Sequence, residues 1–313
     1  MRLTNKHNLP APIVNAVKRD PYDRGDADMS VSEIIDSPRV KVLEWEHDAN
    51  IEEDVAGRVF SLFGRATHQI LEWGAEDHQR AEERLFYTVK IDGVEVTVSG
   101  AMDLQDVGEA VGITDWKVTT VWAFQAEKPA WMYQQNCYAH FVRNAQWAEA
   151  WINGKKERYA HKRRPVQSLK IGAILRDWSA SKAKRDPKYP QAPIQILDLE
   201  LWSPAKAKDY FEQRVRLHIK SRTMHFAGID LPECSREDRW EDNPSYAVKK
   251  PDGKRAVGLY DTKEEALAHI NDAKVPLVLE TRGGEPKRCN DWCRVSQWCS
   301  QNQKRLAENA ERE

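Results

Sequence analysis

The stretch Arg84-Leu-Phe-Tyr-Thr-Val-Lys-Ile, Asp92-Gly93, Val94-Glu-Val-Thr-Val-Ser is two β-forming runs joined by a two-residue turn. Asp-Gly accepts positive φ at both central positions, so its twist matches that of paired strands, and this is the strongest short-range hairpin signal. The second run carries on to Asp103, and Gly112 to Val118 reads as a third strand. A meander of this kind needs a cover for its apolar face. Helices supply it in the pattern on either side. Over residues 51–76, Val55, Val59, Leu62, Phe63, Ala66, Ile70 and Trp73 recur at helical spacing, with Gly74 as the stop. Pro129 opens a second expected helix that runs to about Trp151, with Trp131, Gln134, Tyr138 and Val142 on its inner side. Leu169 to Leu175 and Ile194 to Leu201 read as further strands, and Ser203 caps a helix to about Ile219.

This order predicts an α/β fold with a mixed central β-sheet flanked by helices. Three segments are expected: a polar, irregular stretch with short helices over 1–50, the core over 51–230, and a cysteine-rich C-terminal segment over 231–313. Within the last, Tyr246–Lys250 and Arg255–Tyr260 read as a hairpin around Asp252-Gly253, and Thr262 with Glu265 forms a capping box for the next helix. With 41% hydrophobic residues the chain can build a core. No stretch approaches the roughly 20 apolar residues of a membrane span, and Met1-Arg-Leu-Thr-Asn-Lys has no apolar run of a secretory leader. A cytoplasmic location is expected. The net charge of −1 carries no global signature of nucleic-acid binding. Such binding would use local patches, such as Lys155-Lys156-Glu157-Arg158 and His161-Lys162-Arg163-Arg164, which read equally well as solvated loops. The 12 tryptophans serve first as core, with base stacking as a second use.

The chemistry sits on the meander. Asp115 and Lys117, two apart on a strand, point the same way, and Asp103 on the preceding strand can sit opposite. Two carboxylates and an ammonium on one sheet face are costly unless a divalent cation lies between the acids. That points to metal-assisted hydrolysis of a phosphodiester, with Mg²⁺ or Mn²⁺ as the hard cation suited to aspartates. As a bare triplet, Asp-x-Lys also reads as an exposed surface pair. His68 lies off the apolar stripe of its helix, on a face with Gly64 and Glu72. Glu83 at the start of the hairpin can add a carboxylate, with Glu82 as its rival. Gln134 and Tyr138, four apart, project from one helix side and suit a phosphate or a catalytic side chain.

Of five cysteines, Cys289, Cys293 and Cys299 lie within eleven residues, Cys234 stands upstream, and Cys137 falls in a helix-like run as a small buried hydrophobe. Clustered thiols in a cytosolic chain read first as metal ligands.

Taken in order, Gly64-x3-His68, Glu83, Gly100-x2-Asp103, Asp115-x-Lys117 and Gln134-x3-Tyr138 resemble the RecB-like branch of the PD-(D/E)XK nucleases. That branch includes the RecB and AddB nuclease domains, CRISPR-adaptation exonucleases and many bacteriophage relatives. The resemblance spans roughly residues 55–150. It implies a restriction-endonuclease-like core. It makes His68, Asp103, Asp115 and the backbone carbonyl of Trp116 metal ligands, Lys117 the catalytic lysine, and Gln134 and Tyr138 supports for DNA near the site. The acid before the lysine is Asp here, where many relatives carry Glu. Cys289-x3-Cys293-x5-Cys299 looks similar to the C-terminal triplet of branch members that hold a four-cysteine iron–sulfur cluster. Their fourth ligand precedes the nuclease motifs, where this chain has no cysteine, and Cys234 is the substitute. A [4Fe–4S] cluster is the expected occupant, with zinc the alternative.

The implied function is a Mg²⁺- or Mn²⁺-dependent deoxyribonuclease, an exonuclease on DNA ends or single strands in recombination, repair or phage DNA processing. In a phage setting its location is the host cytoplasm. A structure-selective endonuclease and a DNA-binding recombination accessory protein with a vestigial site are the alternatives. The chain has no Gly-x4-Gly-Lys-Ser/Thr motif, so any unwinding would come from a helicase or recombinase partner.

Overall fold

A computed structural model describes residues 1–19, 24–126, 128–152 and 154–311. The chain divides into two compact units. One comprises Met1–Pro38 and Asp48–Ala227, the other Arg39–His47 and Gly228–Glu313. The first fifty residues therefore do not stand as a segment of their own.

The first unit is α/β, with a large mixed sheet. Its strands in chain order are β1 (Met29–Ser30), β2 (Gln79–Ile91), β3 (Val94–Val107), β4 (Val111–Thr119), β5 (Trp147–Ile152), β6 (Lys155–Ala160), β7 (Val166–Leu175) and β8 (Ile194–Leu199). The spatial order is β8-β7-β4-β3-β2-β5-β6, with β1 added parallel to β3. β4 and β7 run parallel and the other neighbours on that path antiparallel. At the β2–β3 turn Asp92 and Gly93 take φ of 51° and 87°, the two positive values that the dipeptide favours.

Four helices matter for the site: α1 (Val55–Trp73), α2 (Val121–Gln125), α3 (Pro129–Asn144) and α4 (Pro204–Phe226). α4 buries Ala207, Phe211, Val215 and His218 along one face. Phe211 and Val215 join Phe141 and Val142 of α3 and Leu85, Val98 and Met102 of the sheet in the main core. Each such side chain contributes roughly 1.5–3 kcal/mol by leaving water.

Two expectations are corrected here. α3 stops at Asn144, not near Trp151, because Trp147-Ala-Glu-Ala-Trp-Ile leaves the helix to pair as a strand with both β2 and β6. The basic run Lys155–Arg158 is accordingly strand β6 and not a loop. The second correction concerns α1. Of its apolar stripe only Val55 is buried, whereas Phe63, Ile70 and Trp73 are exposed at 53%, 59% and 75%. The helix turns its His68 side to the sheet, about 140° around the axis from Phe63.

The second unit has its own three-stranded antiparallel sheet, β9 (Ser245–Lys249), β10 (Ala256–Tyr260) and β11 (Val278–Arg282), ordered β10-β9-β11. The expected hairpin and capped helix are present, the latter as α5 (Lys263–Asp272) with Thr262 Oγ1 accepting from the Glu265 N–H at 3.3 Å. β11 is the strand that the sequence reading lacked. No helix among the described residues is long and apolar enough to cross a membrane.

Candidate functional site

The meander sets the site. β3 and β4 pair in the register Leu104 with Thr114 and Gln105 with Ile113, which brings Asp103 beside the Asp115–Lys117 stretch. Asp103 Oδ2 accepts from the Trp116 N–H at 2.7 Å, so the carboxylate is tied to the neighbouring backbone. Its other oxygen, Oδ1, lies 3.5 Å from His68 Nδ1. His68 Nε2 is 3.3 Å from the Trp116 carbonyl oxygen. Three expected ligands, His68, Asp103 and the Trp116 carbonyl, are thus together.

The fourth group at this point is the carboxylate of Glu82, whose Oε1 lies 3.3 Å from His68 Nδ1. Glu83 points elsewhere. It is buried, and it accepts from Arg80 at 2.8 Å, from Gln105 at 2.7 Å and from the Tyr159 hydroxyl. The backbone explains the exchange. Glu82 has φ 52° inside a strand, a left-handed conformation that costs a side chain about 1–2 kcal/mol. The ladder pairs Ala81 with Leu104 and Glu83 with Met102, with Glu82 left between them opposite Asp103. That kink turns its carboxylate to His68. Among the described residues His68, Glu82 and Asp103 form a group whose ligand atoms all lie within 4.8 Å.

Asp115 stands outside that group. It is 2% exposed, and its Oδ2 lies 2.5 Å from Lys117 Nζ. Lys117 Nζ also donates to Gln134 Oε1 at 3.3 Å, and Gln134 Nε2 donates to the Tyr138 hydroxyl at 2.9 Å. The structure therefore joins Asp115, Lys117, Gln134 and Tyr138 into one chain. Tyr138 is buried, and a methyl group on Gly100 would come within 2.7 Å of its Cε1. Gly100 is thus the gap into which the Tyr138 ring fits, and through Gln134 that ring holds the lysine. Trp116 is set in a similar way. Its indole lies over Gly172 on β7, the residue paired with it across the parallel ladder. A Cβ at Gly172 would fall inside the contact distance of Trp116 Cε3 and Cζ3. Nothing in the one-dimensional pattern marks Gly172, because its partner lies 56 residues away in the chain. Gly64, one turn before His68, has open space where a Cβ would be.

The electrostatics are those of a site with more acids than cations. Burial, then the Asp115 charge, pushes Asp103 up to about 7. The hydrogen bond that the imidazole donates to Glu82 is the largest influence on His68, which with the pull of Asp103 and Asp115 rises to about 9 against the cost of burial. For Lys117 burial opposes the ammonium, but Asp115 and Asp103 outweigh it and its pKa is raised. An imidazole and two carboxylates with ligand atoms within 4.8 Å of one another, and a carbonyl oxygen 3.3 Å from the second ring nitrogen, suit a hard divalent cation.

In the second unit, Cys234, Cys289, Cys293 and Cys299 all line one cavity, together with Arg39, Arg239 and Arg288. Cys137 does not join them; it is buried in α3, where burial pushes its thiol up to about 12. Cys293 follows the helical turn Arg288–Trp292, and Cys299 is the N-cap of helix α6 (Ser300–Ala310). The Gln301 side chain brackets Cys234, accepting from its N–H at 2.8 Å and donating to its carbonyl at 3.1 Å. Arg39 is 2% exposed and donates to Pro232 O, Leu231 O, Asp230 and Ser300, with Nη1 3.8 Å from Cys299 Sγ. Burial, then the neighbouring thiols Cys293 and Cys299, raise the Cys289 pKa. Among the described residues no three of these sulfurs lie within 4.8 Å of one another. Trp292 is 69% exposed and Trp298 stacks on His47 at 4.4 Å, so neither tryptophan walls the cavity.

No family model and no curated protein matches the chain. Among solved structures it is similar to one described as "Crystal structure of SSO0001", with a TM-score of 0.42 at 12% identity over 66% of this chain and 84% of that chain. A likeness at that level carries no argument about function.

Proposed function

We propose that this protein is a Mg²⁺- or Mn²⁺-dependent deoxyribonuclease, acting as an exonuclease on DNA ends or single strands. The observation that carries the reading is the convergence of His68, Glu82, Asp103 and the Trp116 carbonyl beside a lysine clamped by Asp115 and Gln134. A divalent cation held there would neutralise phosphate charge and acidify a water. The chain's own residues do the rest. Asp103 is fixed by the Trp116 N–H, so its free oxygen keeps one orientation. Lys117 presents its ammonium where negative charge develops on the phosphate during attack, and Asp115 keeps that group protonated and in place. Gln134, steadied by Tyr138, sets its direction.

The assay uses 5′- and 3′-labelled single- and double-stranded DNA and closed circles, with Mg²⁺ or Mn²⁺. Linear DNA is degraded and closed circles survive; cleaved circles would favour an endonuclease. Asp115→Ala and Lys117→Ala lower the rate by about 10²–10³-fold or more, the scale of one lost transition-state donor. Wild-type activity in either folded variant refutes the proposal, and DNA binding without metal-dependent cleavage in the parent protein would favour the accessory role.

For the cysteine cavity the reading is a [4Fe–4S] cluster on Cys234, Cys289, Cys293 and Cys299. Zinc–sulfur bonds of about 2.3 Å draw four thiolates to about 3.8 Å from one another, whereas among the described residues no three of these sulfurs lie within 4.8 Å of one another. The three lining arginines offset the charge of the four thiolates. Anaerobically purified protein is expected to contain iron and sulfide; stoichiometric zinc would reject the assignment.

A further inference from the structure

Aromatic side chains on and next to the elements of the candidate site are left open to solvent. Phe60 sits on α1 eight residues before His68, about 12 Å along the helix, and is 56% exposed. The Arg176 guanidinium stacks on its ring at 4.0 Å. Arg176 and Asp177 hold the exit of β4: the Arg176 N–H donates to Thr119 O at 2.9 Å, and Asp177 Oδ1 accepts from the Val121 N–H at 2.8 Å. The next residue, Trp122, is 73% exposed. Phe60 thus packs on Arg176, and Trp122 follows the Val121 amide that Asp177 holds, at the end of the strand that carries Asp115 and Lys117.

The charge nearby is positive. Residues 176–188 hold five cations (Arg176, Lys182, Lys184, Arg185, Lys188) against two acids. Lys128, exposed at the head of α3, stacks its ammonium over the Trp131 ring at 5.3 Å and feels the charge of Lys117. Unpaired bases offer π-faces to aromatic rings and a flexible phosphate chain to cations, whereas a duplex keeps its bases stacked inside. A protein partner gains from the rings but has no need of the cations.

We infer that Phe60, Trp122 and Arg176 form a shelf for unpaired nucleotides, so that the preferred substrate of the site is a single-stranded DNA segment. The inference rests on the nuclease reading for its substrate, but its test does not.

Full-length protein in EDTA, which prevents cleavage, is titrated with fluorescein-labelled oligo(dT), an abasic strand of equal length, and a blunt duplex, reading anisotropy. Phe60→Ala and Trp122→Ala each weaken oligo(dT) binding about ten-fold, the scale of one lost base–aromatic stack. Duplex binding changes less than two-fold. The abasic strand binds parent and variants alike, which separates stacking from charge. Arg176→Ala also lowers the salt dependence of binding by about one phosphate contact. Unchanged oligo(dT) affinity in both aromatic variants, with thermal melting as in the parent, overturns the shelf and leaves its rings to a protein partner. Equal binding of abasic and thymine strands to the parent overturns it too. Stacking without metal-dependent cleavage would keep the shelf and refute the nuclease reading; cleavage without stacking would do the reverse.

Discussion

Gly172→Ala is the sharpest perturbation of the candidate metal site, because it touches no proposed ligand side chain. A Cβ at Gly172 would overlap the Trp116 ring at Cε3 and Cζ3. The ring has to swing off β7, or the parallel β4–β7 ladder has to open between Trp116 and Gly172. Overpacking of this kind costs about 1–3 kcal/mol. Either movement drags the Trp116 peptide, whose N–H holds Asp103 and whose carbonyl faces His68. Two readouts follow: urea unfolding for stability, and Mn²⁺ affinity by calorimetry for the centre. Trp116→Ala keeps the backbone carbonyl and removes the ring, so Gly172→Ala in that background should cost less than about 0.5 kcal/mol. The double-mutant cycle then reports a coupling of about 1 kcal/mol or more between two residues 56 apart in sequence. If Gly172→Ala costs the same with and without the Trp116 ring, or leaves Mn²⁺ affinity untouched while destabilising the fold, the account of how the carbonyl is positioned is wrong.

Glu82→Ala should weaken Mn²⁺ binding with little loss of stability, whereas Glu83→Ala should destabilise the fold by about 3 kcal/mol. The second change leaves Arg80, Gln105 and Tyr159 without their shared buried acceptor; reversed effects in unfolding and calorimetry would exchange the two roles. Burial is the first cause that lowers both His140 and His218 to about 4. With folded values below the ordinary 6.5, both contribute stability above that pH and lose it as pH falls toward 4, up to about 3 kcal/mol each. Denaturant unfolding at pH 7 and 4.5 should show a smaller acid loss in His218→Gln than in the parent, and equal losses would refute this. Phe63→Gln and Ile70→Gln should shift stability by no more than about 0.5 kcal/mol, since both side chains are exposed; losses of 2 kcal/mol in thermal unfolding would return the stripe to the core.

The elements that were legible are those whose signal is local. Asp92-Gly93 fixed a hairpin because both positions need positive φ. Thr262 with Glu265 marked a helix start through one side-chain bond. The meander Asp103 to Lys117 carried its own geometry, since alternation and a short connection leave little freedom in how acid and lysine meet. Failures came where a tertiary partner decides. The run from Trp147 holds two tryptophans and two alanines and suits a helix, yet β2 offers it an edge at Arg84–Phe86 and it pairs there. On α1 an amphipathic stripe pointed outward because the opposite side carries His68, whose ring contacts a strand carbonyl, a polar commitment that a count of apolar residues does not see.

The exchange of Glu82 for Glu83 shows why a motif can give the region but not the residue. Regular alternation would let either acid face the centre, depending on register. The register is uninterrupted on both sides, with Ala81 opposite Leu104 and Glu83 opposite Met102. The choice is made instead by one residue adopting φ 52°, a conformation held only when surrounding contacts outweigh its strain. Those contacts are identifiable: Glu83 anchors the strand on one side through Arg80, Gln105 and Tyr159, and His68 receives Glu82 on the other. The buried acid thereby serves the centre at one remove. It fixes the strand so that its neighbour is forced out of the ladder and toward the imidazole. On this argument Glu83→Gln, which keeps a hydrogen-bonding side chain of equal size, should preserve most Mn²⁺ affinity. Glu83→Ala should lose part of it together with stability. Glu82→Gly, which removes both the strain and the carboxylate, should stabilise the fold by about 1 kcal/mol while weakening the metal. A Glu82→Gly variant that is less stable than the parent in urea would show that the left-handed residue carries no strain and that Glu83 does not drive it.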